Sequence, residues 1–77
     1  MHKLPILSGK ELLKAFLNKK LGYELDHQTG SHFILRQKES PFRRLVIPNH
    51  EEIAKGTLNA IIRESGLTRE QFFELIK

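Results

Sequence analysis

The chemistry open to this chain rests on four histidines and a run of cations, with no cysteine. An imidazole has an unperturbed pKa near 6.5, so it can take or give a proton at neutral pH. His32 is the leading candidate. It follows Gly30-Ser31 at a turn and opens the alternating stretch Phe33-Ile34-Leu35-Arg36, which sets a polar ring at the start of a strand. His27 and His50 are candidates for a second acid or base, and His2, at the chain start, is the weakest of the four. Arg36, Lys38, Arg43 and Arg44 lie close by in sequence; they could hold the backbone of a polyanion or stabilise developing negative charge. Lys55, beside the expected start of a helix, could add to an anion site. Metal chemistry is not expected. His27, His32, His50 and Asp26 could converge, but there is no H-x-x-x-H spacing and the carboxylates are scattered, which does not suit a zinc or two-metal centre. No Gly-rich phosphate loop and no Ser-His-Asp signature is readable.

Those residues sit in a chain of 77, enough for one domain over residues 1–77. A domain of that size buries only about 60% of the surface its unfolded chain exposes, so its core is thin. Hydrophobic residues make up 39% and charged residues 29%, an ordinary globular balance. The net charge is +4, and it is unevenly spread. Residues 1–31 carry +2, residues 32–50 carry +3 and residues 51–77 carry −1. The positive excess peaks around the candidate histidine, as it would for a protein that meets a polyanion. The lack of cysteine favours a reducing compartment. No apolar run has the length of a signal peptide or approaches the roughly 18 residues of a membrane span. A cytoplasmic protein is expected.

Ser8-Gly9-Lys10-Glu11 has capping-box spacing. Leu12, Leu13, Phe16 and Leu17 then share one helical face, which predicts a helix from about 9 to 21, ended by Gly22. Residues 23–27 and 32–38 read as strands joined by a tight turn. Residues 43–47 read as a third strand, stopped by Pro48. A second helix is expected over 57–65 with Thr57 as its cap, and Thr68-Arg69-Glu70-Gln71 opens a last helix to about 77. The order helix, three strands, helix, helix is that of an α+β, double-stranded-RNA-binding-domain-like fold: a three-stranded antiparallel sheet with helices on one face and the other face open. The first turn decides which group faces His32. A two-residue turn, Thr29-Gly30, pairs His27 with His32 but needs positive φ at a β-branched residue. A three-residue turn, Gln28-Thr29-Gly30, puts only Gly30 there and pairs Asp26 with His32, and is preferred. Directly opposed side chains lie about 5 Å apart at Cβ.

Taken together, these segments resemble the HicA toxins, also called YcfA-like proteins. The residues that carry the resemblance are Ser8-Gly9-Lys10-Glu11-Leu12, Gly22-Tyr23, Gly30-Ser31-His32, Val46-Ile47-Pro48-Asn49-His50, Lys55-Gly56-Thr57-Leu58, and Ser65-Gly66-Leu67-Thr68 with Phe72. Singly each is unspecific; their order and spacing together are more telling. The family often carries a basic residue where this chain has His27. The resemblance implies a toxin of a type II toxin–antitoxin system. Its activity would be that of a metal-independent, cofactor-free endoribonuclease (an mRNA interferase) working through a single histidine, His32 in the Gly30-Ser31-His32 motif. It also implies mRNA as substrate and a HicB-type antitoxin as protein partner. The alternative from the same residues is an RNA-binding module that does not cut.

Overall fold

The computed structural model describes residues 3–77. Helix α1 spans Gly9–Phe16 and a 3₁₀ turn follows at Lys19–Leu21. Strands β1 (Tyr23–Gln28), β2 (His32–Gln37) and β3 (Arg44–Pro48) form one antiparallel sheet in the order β1-β2-β3. Helices α2 (Lys55–Ser65) and α3 (Arg69–Leu75) complete the chain. The order and sheet are those expected for a double-stranded-RNA-binding-domain-like α+β fold.

Period-two alternation assigns the faces. Phe33 and Leu35 of β2 and Leu45 and Ile47 of β3 enter the core, where they meet Leu12 and Phe16 of α1, Leu58, Ile61 and Ile62 of α2, and Phe72 of α3. All three helices therefore contribute to a core on one side of the sheet. Phe16 stacks on Phe72 and meets Tyr23 edge-on, with ring centroids 6.1 and 6.0 Å away. Beyond Tyr23 every residue of β1 is exposed, so this strand projects past the helices' cover.

Several boundaries differ from expectation, each for a local reason. The first helix stops at Phe16 rather than near 21, because Asn18 takes an extended ψ of 128° and its side chain accepts from the Lys20 N–H to start a separate turn. Gly22 ends that 3₁₀ turn, in the left-handed conformation expected of it, at φ 74°. The second helix begins two residues early, at Lys55. Its N-cap is Ala54, with no side-chain cap bond, so Thr57 lies inside the helix. Strand β3 includes Pro48, which an edge strand tolerates because the N–H that proline lacks costs no ladder bond on the strand's outward side. Both capping boxes form as expected, at Ser8 with Glu11 and at Thr68 with Gln71.

The start of α1 is pinned to the end of β3. The Gly9 N–H donates to the His50 carbonyl at 2.8 Å, and the Ile53 N–H donates to Leu7. The packing is so close that a Cβ at Gly9 would collide with the Pro48 carbonyl oxygen and stand 2.9 Å from the Asn49 Cα. Both obstacles are backbone and cannot swing aside. Gly9→Ala should therefore lower the unfolding free energy by about 1–3 kcal/mol, the usual cost of overpacking, despite alanine's better helix propensity. Urea denaturation beside the native chain checks it.

Candidate functional site

The bare face of the sheet is built from the residues that alternate with the core set. His32, Ile34 and Arg36 come from β2, and Arg44 and Val46 from β3; Ile34 pairs with Val46 and Arg36 with Arg44. Ile34 is buried yet lies outside the core cluster, so it forms an apolar floor among the polar groups.

His32 opens β2 and is half-buried. Its backbone is fixed by Thr29, whose N–H donates to the His32 carbonyl at 2.9 Å. The Thr29 Oγ1 accepts from the N–H groups of His32 and Ser31 at 2.9 and 3.3 Å. On the ring, Nδ1 lies 2.9 Å from the Ser31 Oγ, and no contact engages Nε2 among the described residues. Thr29 thus fixes the main chain at His32, a contact that sequence reasoning missed. The legible signal was the tendency of a threonine hydroxyl to bond the backbone N–H two residues on.

The hairpin differs from both turns considered above. Gln28 pairs with Phe33, and Thr29 faces His32, so Gly30 and Ser31 form the tip. Gly30 is not among the residues at positive φ, and a Cβ there would meet nothing within 4 Å. The fold does not use the freedom of this glycine. Nor does Asp26 pair with His32. The β1–β2 register shifts between Leu25 and His27, a bulge at Asp26. Leu25 faces the core residue Leu35, and without the bulge His27 would follow it to the helix side. The extra residue instead places His27 opposite Ile34, on the bare face. Asp26 Oδ2 lies 2.7 Å from His27 Nδ1 and 3.5 Å from Arg36 Nε.

The cations divide. Arg36 and Arg44 stand directly opposite each other on the bare face. Like charges so placed repel, and the β1 carboxylates only partly relieve them. Lys38 is paired with Glu24 at 3.2 Å. Arg43 turns away: its Nη1 donates to the Glu64 carbonyl at 3.1 Å. It lies against Gly66 at φ 79°, where a Cβ would strike its guanidinium. It satisfies the C-terminal end of α2, where a cation also meets the helix dipole favourably. Lys55 opens α2 and is exposed. The exposed His50 lies two residues beyond Pro48, the cross-strand partner of His32, and Asn49 donates to the Ser31 carbonyl at 2.8 Å. His2 lies outside the described residues. The positive excess read from the sequence is therefore narrower in space than in the chain, and centres on Arg36 and Arg44.

Among the described residues no group of three His, Asp or Glu could hold a metal ion, and no helix is long and apolar enough to cross a membrane. Residues 9–67 match the family model described as the HicA toxin of bacterial toxin-antitoxin. The chain belongs to the HicA toxin family. As a HicA toxin it is the toxin half of a toxin–antitoxin system, which implies an antitoxin partner. No curated protein matches it. The matched segment spans α1 through α2 and contains the whole hairpin with His32.

Two outcomes follow from the electrostatics. The His27 hydrogen bond holds the Asp26 carboxyl below its ordinary range; desolvation opposes it, and the charges of Arg36, His27 and Arg44 add to the lowering. A depressed carboxylate contributes stability that is complete above the ordinary aspartate value of about 3.9 and lost as pH falls through the folded-state value. His27→Ala should move the Asp26 titration upward, as read by carboxyl-carbon NMR. Arg43→Ala should lower stability by about 1 kcal/mol, one net hydrogen bond, whereas Arg44→Ala should leave the urea midpoint unchanged.

Proposed function

We propose that this HicA toxin is a metal-independent endoribonuclease that cuts mRNA, with His32 moving the proton. The single observation that carries the reading is the setting of that ring. It stands half-buried on a bare sheet face, anchored through Nδ1 to Ser31 and with Nε2 left for a substrate.

RNA carries its own nucleophile, the 2′-hydroxyl, next to every phosphodiester. Cleavage without a metal needs a base for that hydroxyl, positive charge for the crowded phosphate and an acid for the leaving oxygen. His32 serves as the base. The opposed guanidinium groups of Arg36 and Arg44 suit an anion, since a phosphate between them replaces repulsion with two charge-assisted contacts. Gly30, whose bare Cα the fold does not require, lets the ribose–phosphate backbone approach the ring closely. Val46, half-buried opposite Ile34, offers an apolar contact for the ribose or base.

Cytoplasmic RNA is the substrate, and a HicB-type antitoxin restrains the enzyme. The mixed charge of the bare face suits an antitoxin that covers the two arginines and His32 with acidic groups, because complementary charge speeds association. His50, at the edge of the hairpin tip, is close enough in the chain to contact bound RNA.

His32→Ala should keep the native fold, since the side chain contributes nothing to the core, and should cut RNA about 10²–10⁴-fold more slowly in the presence of chelator, the usual worth of a positioned acid or base. Cells expressing it should grow where the native toxin arrests them. RNA that is bound with a steep salt dependence but never cut by the native protein would instead mark a binding module.

A further inference from the structure

We propose that Asp26 and His27 form the second half of the catalytic apparatus: His27 delivers the proton to the departing 5′-oxygen, and Asp26 is its positioning residue. This deepens the ribonuclease reading and rests on it.

Three features of the fold converge on the pair. The bulge at Asp26 is what turns His27 onto the face that His32 occupies, and bulges of this kind are concentrated beside active sites, where they re-aim side chains. The Asp26 carboxylate then holds the ring through Nδ1 at 2.7 Å. The residues are 41% and 54% exposed in their side chains, so this contact is not core packing. Finally, His27 faces Ile34, and His32 is the next residue of β2 on that face. The two imidazoles are diagonal neighbours, a separation of about 7–8 Å between residues. A phosphodiester fits between rings so spaced, each within hydrogen-bond reach of one of its oxygens.

Their partners set the division of labour. His32 is held by a neutral hydroxyl, His27 by an anion that Arg36 also touches at 3.5 Å. A carboxylate compensates the charge of a ring that begins with protons on both nitrogens, and orients it for delivery. In the reaction the 2′-O–H bond breaks and its proton passes to Nε2 of His32. The 2′-oxygen bonds to phosphorus as the P–O5′ bond breaks, and its electron pair leaves with O5′. That oxygen takes the proton from Nε2 of His27. The products are a 2′,3′-cyclic phosphate and a 5′-hydroxyl, and proton exchange with water resets both rings.

The test uses one RNA oligonucleotide in two forms, with oxygen or with sulfur at the bridging 5′ position of the site the native protein cuts. A thiolate departs without a proton, so it makes the acid dispensable. His27→Ala should cut the oxygen substrate about 10²–10⁴-fold more slowly and recover close to the native rate on the sulfur substrate. Asp26→Asn, which keeps an acceptor but removes the charge, should show a smaller loss with the same recovery, and His32→Ala should stay slow on both. His27 variants that match the native rate on oxygen, or that are equally slow on both substrates, overturn the acid assignment and leave the nuclease reading standing. A native protein that cuts neither substrate overturns both.

Discussion

Three helices packed against one side of a three-stranded sheet are the constraint on which everything else turns. With so little chain, only one face of the sheet can be covered. Phe33, Leu35, Leu45 and Ile47 supply the strands' share of that covered side. Strand alternation then leaves His32, Arg36 and Arg44 on the bare side. The polar face is a geometric consequence of how the core is sealed.

On that face, two local departures from regular structure do the positioning. Thr29 replaces part of the usual backbone turn with its hydroxyl and fixes the main chain of His32 from both sides. The bulge at Asp26 moves His27 from the helix side to the same face and sets a carboxylate beside it. Neither device needs burial. Both sit at the end of the hairpin that projects beyond the helices, where a small fold can carry irregular backbone without weakening its core.

The electrostatics are correspondingly economical. Glu24 and Asp26 offset part of the charge that β2 brings, and Arg43 is committed to the end of α2. What stays poorly compensated is one opposed pair of arginines. The positive charge of this face is thus concentrated at one point of the sheet and not spread across it. Membership of the HicA family places the chain opposite an antitoxin.

Much of this was legible in the residues alone. The capping boxes at Ser8 and Thr68, the left-handed conformation of Gly22, the alternation of Phe33 and Leu35 with His32, Ile34 and Arg36, and the α-β-β-β-α-α order are all local or periodic signals. They act over a few residues and survive translation into structure. Other features depend on partners distant in sequence. The early end of α1 reflects a competing turn at Asn18, and the start of α2 at Lys55 owes nothing to a side-chain cap. Arg43 found the carbonyl of Glu64, and Gly9 is required by the backbone of Pro48, contacts that no spacing announces. The hairpin register was open to either of two turns and became a third, because a hydroxyl and a bulge can each shift pairing by one residue. Residue types and their period thus determined that a histidine and arginines would share one face. Only tertiary structure decided which acid, which second imidazole and which of the cations stand with them, since a one-residue slip in a strand exchanges its faces.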